Sequence, residues 1–163
     1  MTNSDEASSV KTVKKYSFNS LILQKPSKSD TDNIYVSKIE IVNEDNDLNH
    51  QLVIQTPKIK INRLDKLLVA EINDDTEALL TDFDDKISLL VSENSSLFFE
   101  EEITPEESDE MYKGSFKKSR KITKMNLNLS SELRIYNKQK QELSLSDLVA
   151  DNTIICLIKC TKI

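Results

Sequence analysis

Apolar positions along this chain recur with two different periods, and the change of period divides it into three parts. In the first part apolar and polar residues alternate as they do on half-buried strands, and runs of Asn, Asp and Ser punctuate them. Tyr16 to Leu23 and Ile34 to Val42 are predicted strands, separated by a polar loop from Lys25 to Asn33. After a turn dense in Asn and Asp (Asn43 to Asn49), Leu52 to Ile61 reads as two strand pieces broken at Pro57, which cannot donate to a central ladder. Leu67 to Ile72 is a further strand.

The middle part changes period. Ile87, Leu90, Val91, Asn94, Leu97 and Phe98 follow helical spacing, with Asp82, Asp84 and Asp85 placed where a helix start favours acids. A second, short helix is signalled by Thr104-Pro105-Glu106-Glu107, a capping box with proline at the first helical position. Gly114, the chain's single glycine, lies where a C-terminal cap would end it. Strand character then returns at Met125 to Leu129, Leu133 to Tyr136 and Thr153 to Lys159.

No internal repeat interrupts this order. It predicts a mainly β, α+β fold: a small Greek-key barrel or sandwich with a helical pair inserted at about residues 82–114. Residues 1–12 are polar and are expected to form a disordered leader, with 13–163 a single domain. No stretch approaches the roughly 18 apolar residues of a membrane span, and the first residues carry no secretion or import pattern.

The distribution of charge adds more than its total. The net charge of −6 conceals a segregation: residues 71–112 hold 15 Asp or Glu against Lys86 alone, whereas 113–163 hold 11 Lys or Arg against four acids. Lys113, Lys117, Lys118, Arg120, Lys121 and Lys124 crowd into one acid-free stretch beside Tyr112 and Phe116. Exposed charges are screened beyond roughly 8–10 Å, so such a segment can hold phosphates even on an acidic protein. Cations neutralise phosphates while aromatic rings offer bases a stacking surface. Lys58 and Lys60, alternating with Ile59 and Ile61, either extend that basic face or form the outer side of a half-buried strand. Edge-strand protection by lysine is the plain alternative for the basic segment, and core packing for Phe116.

Catalytic chemistry finds little footing. His50 is the only histidine, in a polar turn, and any Ser-His or Cys-His mechanism would depend on it. With one glycine the chain has no Gly-rich phosphate loop. Cys156 and Cys160 lie four apart in an apolar run read as a strand; this separates them by roughly 13 Å, so they are expected to be buried free thiols. Two cysteines and one histidine do not make a zinc site. Asp82-Phe83-Asp84-Asp85 and Asn73-Asp74-Asp75 could approach a metal, but helix-start or turn chemistry explains each more simply. No enzyme, cofactor or metal is therefore expected.

Several segments resemble, in order, a family of proteins from nucleocytoplasmic large DNA viruses. They are Leu52-Val53-Ile54-Gln55-Thr56-Pro57-Lys58-Ile59-Lys60-Ile61, Glu93-Asn94-Ser95 with Phe98, Met111-Tyr112-Lys113, and Ile135-Tyr136-Asn137 followed by Leu148 and Ile154 to Cys160. The resemblance spans roughly residues 35–160. It implies an OB-like barrel of the kind found in certain podoviral single-strand binders, and a non-catalytic role on single-stranded DNA in viral replication or repair. The partners it implies are single-stranded DNA, with RNA left open, and viral replication proteins. The expected location is the host cytoplasm at the virus factory, the nucleus or the virion, without membrane attachment. Many replicative single-strand binders recruit partners through an acidic C-terminal tail, whereas the last acid here is Asp151. The competing expectation is a virion or virus-factory assembly protein, in which the acidic segment (71–112) of one copy meets the basic segment (113–124) of the next.

Overall fold

The computed structural model describes residues 11–12, 18–31, 34–41 and 52–161. Its strands are β1 (Lys11–Thr12), β2 (Leu21–Leu23), β3 (Ser27–Lys28), β4 (Tyr35–Val36), β5 (Ile39–Ile41), β6 (Leu52–Gln55), β7 (Ile59–Leu64) and β8 (Leu67–Glu71). Three helices follow: α1 (Asp74–Glu93), α2 (Ser95–Phe99) and α3 (Pro105–Met111). The chain then forms β9 (Lys117–Lys118), β10 (Thr123–Asn128), β11 (Ile135–Tyr136), β12 (Glu142–Leu143), β13 (Thr153–Ile154) and β14 (Leu157–Cys160). The fold class is α+β, as the periodicities predict. Most of the expected 1–12 leader lies outside the described residues, as does His50; Lys11–Thr12 pairs in parallel with Ile54–Gln55.

The largest sheet has the order β13-β7-β8-β10-β9 and is antiparallel throughout. A three-stranded sheet, β1-β6-β14, continues it through two matched bends. One bend is at Thr56–Lys58, where Pro57 withdraws a donor from the ladder. The other is at Ile155–Cys156, directly across from it. Two bonds hold the bends together: Thr56 N–H donates to the Cys156 carbonyl and Cys156 N–H donates to Thr56 Oγ1, each at 2.9 Å. The expected strand Thr153 to Lys159 is thus two pieces, broken where its partner breaks. Two-stranded ladders β2-β5, β3-β4 and β11-β12 complete the described strands, which do not close into a barrel.

Helix α1 fills the crook of the bent sheet. Leu79, Phe83, Ile87 and Leu90 pack on one core cluster with Leu21, Ile41, Leu52 and Ile54. Leu80 turns to a second cluster with Ile59, Ala70, Ile72 and Met125. Each such side chain, fully buried, is worth about 1.5–3 kcal/mol. The helix begins earlier than its apolar spacing suggests. Asn73 is the N-cap, its Oδ1 accepting from Thr76 N–H at 2.9 Å and Thr76 Oγ1 at 2.7 Å. Asp74, Asp75 and Glu77 then fall in the first turn, at the positive end of the dipole. Asp82, Asp84 and Asp85 are therefore mid-helix, and Leu97, expected on the core face, is exposed because the helix breaks at Asn94.

Helix α3 starts at the predicted capping box: Thr104 Oγ1 accepts from Glu107 N–H, and Glu107 accepts from Thr104 N–H. It docks on α1 through buried serines. Ser108 Oγ donates to the Ser88 carbonyl at 2.8 Å, and Ser88 Oγ donates to Asp109 Oδ1 at 2.5 Å. These small side chains let two short-spaced helices approach with their polar atoms satisfied. No helix among the described residues is long and apolar enough to cross a membrane.

Candidate nucleic-acid interface

The basic segment begins on a tether. Asp84, projecting from α1, accepts hydrogen bonds from Tyr112 Oη (3.0 Å), Ser115 N–H (2.9 Å) and Ser115 Oγ (3.0 Å). Burial pushes its carboxyl above the ordinary range, against the downward pull of those three bonds. Gly114 permits this approach. A Cβ there would lie 3.1 Å from Asp84 Oδ2, and its backbone is not left-handed. The expected role as helix cap is corrected: α3 ends on Tyr112 in an extended conformation, and Gly114 serves close contact.

From this anchor the chain enters β9 and turns back into β10. Ser119 N–H donates to the Ile122 carbonyl at 3.0 Å, which closes a turn with exposed Arg120 and Lys121 at its tip. An open cleft of about 600 Å³ lies beside this hairpin. Its walls are Gly114, Ser115, Phe116, Lys117, Lys118, Ser119, Ile122, Lys124 and Asn126. Phe116 is half-buried and packs against the second core cluster.

Register explains why the cations gather. Thr153, Lys60, Glu71, Lys124 and Lys117 are successive cross-strand partners, so they form one row on one face of the five-stranded sheet. Lys117 and Lys124 stand directly opposite each other, a like-charge pairing that is unfavourable in itself and is offset in part by Glu71, the other cross-strand partner of Lys124. Two other cations are already engaged. Lys118 Nζ meets Glu77 Oε1 at 2.7 Å, and this bond holds the Glu77 carboxyl below, and the Lys118 ammonium above, its usual value. Lys60 lies between Glu71 (3.6 Å) and Asp151 (3.5 Å).

Of the ten residues singled out from sequence, the structure brings Phe116, Lys117, Lys118 and Lys124 to the cleft. Arg120 and Lys121 cap the hairpin, and Lys113 precedes the tethered Gly114. Lys58 sits at the sheet bend, where its carbonyl accepts from the Asn73 side chain, and does not line the cleft. Tyr112 is an anchor: its ring packs on the first core cluster and its hydroxyl is bound to Asp84. Sequence reasoning missed Ser115, Ser119, Ile122 and Asn126. The alternation of Lys124 and Asn126 with apolar Met125 and Leu127 was the signal for the last.

The remaining chemistry is quiet. Cys156 and Cys160 are free and half-buried, and burial pushes their thiols up to about 11 and about 12. Asn73-Asp74-Asp75 is occupied as a helix start. Among the described residues no group of three or more His, Cys, Asp or Glu is placed to hold a metal ion. No family model, curated protein or solved structure matches this chain.

Proposed function

We propose that this protein is a non-catalytic single-stranded nucleic-acid-binding protein whose phosphate contacts centre on the β9–β10 hairpin and its cleft. The observation that carries the reading is the Lys117–Lys124 pair, two like charges set opposite each other on the wall of a cleft that also presents Phe116. Places where a sequence breaks a local rule are where function is expected. Edge protection accounts for Lys117, and Lys124 has Glu71 as its other cross-strand partner, but Glu71 is shared with Lys60 and leaves the row Lys60, Glu71, Lys124, Lys117 with a net positive charge. A phosphate between the two ammonium groups removes their repulsion. Lys118 joins by exchanging Glu77 for phosphate, and Arg120 and Lys121 extend the contact at the tip. Phe116 and Ile122 offer an apolar wall to a base or sugar. The viral setting and the OB-type architecture belong to the same proposal; for the architecture alone, the paired bends of β6–β7 and β13–β14 are in favour, because bends of this kind are how an antiparallel sheet begins to curl.

Changing Lys117, Lys121 and Lys124 together to Glu tests this placement. Single-strand affinity is expected to fall by at least about a hundredfold at low salt, since three phosphate contacts are replaced by repulsions. Undiminished binding would move the site elsewhere.

Self-association is the second reading, favoured by exposed Leu97, Phe99 and Met111 on the acidic helices. The Lys118–Glu77 pair weighs the other way, because it already satisfies acid-to-base attraction within one chain.

A further inference from the structure

Among the described residues three aromatic side chains are exposed: Tyr35 (70%), Tyr136 (54%) and Phe99 (47%). Their surroundings differ. Phe99 runs directly into Glu100, Glu101 and Glu102, which repel a phosphate backbone. Tyr35 faces Lys28 across a two-residue ladder, with Asp30 two residues beyond Lys28. Tyr136 has three cations within four residues, Arg134, Lys138 and Lys140, and two acids, Glu132 and its cross-strand partner Glu142.

The β11–β12 hairpin that carries Tyr136 is built to be stiff. Asn137 organises its tip: Asn137 Oδ1 accepts from Gln139 N–H and Gln141 N–H at 2.9 Å each, and its amide donates to Gln141 Oε1 at 2.9 Å. Backbone bonds Asn137 N–H to the Gln141 carbonyl and Lys140 N–H to the Asn137 carbonyl, both 3.0 Å, close the loop. Lys140 adopts left-handed backbone (φ 62°) to complete it. Arg134 lies close enough to the Tyr136 side chain for the two to interact, and this helps hold the guanidinium's proton. An exposed ring carried on a hairpin tied together in this way costs little backbone freedom when a base stacks on it.

Topology connects this hairpin to the cleft. Strand β10 starts beside the cleft at Thr123 and ends at Asn128, from which the chain passes to β11. Its outward positions Lys124, Asn126 and Asn128 are all polar, over a run of about 17 Å between strand ends. We propose that the β11–β12 hairpin is a second contact for the same single strand, with Tyr136 stacking on a base and Lys138 and Lys140 on neighbouring phosphates. This rests on the nucleic-acid reading above. Stacking on one exposed ring is sequence-tolerant because every base presents a π-face.

The chain contains no tryptophan, so Tyr136→Trp introduces a single reporter. The full-length variant is titrated with a labelled thymidine oligomer, following anisotropy of the label and emission of the indole together. Expected is saturable binding with indole quenching, and binding without quenching on an abasic deoxyribose-phosphate strand of equal length. In parallel, Tyr136→Ala should lose affinity for the thymidine strand by about tenfold or more while Tyr136→Phe retains it. Normal binding with an unquenched indole, or with Tyr136→Ala equal to the unsubstituted chain, overturns the Tyr136 contact and leaves the cleft reading standing. No binding by the unsubstituted protein overturns both.

Discussion

Asp84 and Gly114 meet where the basic segment is anchored, and a side chain at 114 would crowd the carboxylate. An alanine at 114 would stiffen the unfolded chain, an effect worth about 0.4–1 kcal/mol in its favour. It would also press its Cβ on Asp84 Oδ2, the oxygen that accepts from both Ser115 donors. Hydrogen bonds to a charged group are worth about 1.5–3 kcal/mol, so the loss outweighs the gain. Gly114→Ala is therefore expected to destabilise by about 1 kcal/mol in urea unfolding, and an unchanged or higher midpoint would show that the tether yields without cost. The two cysteines give a second residue-scale expectation. Their thiols, raised to about 11 and about 12, favour the neutral form in the folded state, while an unfolded thiol ionises near pH 8.5. Their contribution to stability is complete below that pH and is lost as pH rises through the folded values. Urea midpoints should fall progressively above about pH 9, and replacing both with Ala should flatten that fall. Thiol reagents should react slowly with the folded chain at neutral pH, because the thiolate is the nucleophile.

At the scale of elements, the α1–α3 contact depends on small side chains. Ser88 and Ser108 are each almost fully buried where the helices meet, and Ser92 and Ser95 fix the connecting loop through Ile103. Ser88→Val inserts a branched side chain and removes a donor to Asp109, and should cost about 2–3 kcal/mol while leaving the sheet intact. A drop confined to helical signals on partial unfolding would locate the damage there. These elements also show what the sequence can and cannot say. The capping box at Thr104 and the break at Pro57 are local chemistry, and both are legible without a structure. The start of α1 was not, because Asn73-Asp74-Asp75 serves equally as a turn or as a cap with its first acids. Only the burial of Leu79, Leu80 and Phe83 separates the two. β12 and the 3-10 turn at Leu145–Asp147 are short and exposed, so hydrophobic alternation carries no trace of them. The ion pair Lys60–Glu71 follows from the β7–β8 register, and Lys118–Glu77 joins a strand to a helix, so neither can be read from sequence spacing.

Across the whole molecule, acids are concentrated on α1 to α3 and cations along the β9 edge of the sheet, and the two meet where Lys118 pairs with Glu77. At the β9–β10 hairpin and its cleft, Lys113, Lys117, Lys118, Arg120, Lys121 and Lys124 offer at most six phosphate contacts, to which Lys138 and Lys140 would add. At a slope of about −0.7 per phosphate on single strands, engagement of five or six predicts a log–log salt slope of roughly −4. Glu77 tempers this. It is paired with Lys118 above its lowered pKa and releases it as pH falls through that value, so Glu77→Gln should raise single-strand affinity at neutral pH and leave a weaker pH dependence. An affinity unchanged by Glu77→Gln would mean that Lys118 does not meet the strand. The central claim is tested most directly by fluorescence anisotropy of a labelled single strand of about 30 nucleotides and its duplex, at low and near-physiological salt. The account predicts tight binding that prefers the single strand and weakens steeply with salt. Absence of binding at low salt, or equal affinity for the duplex, would contradict it.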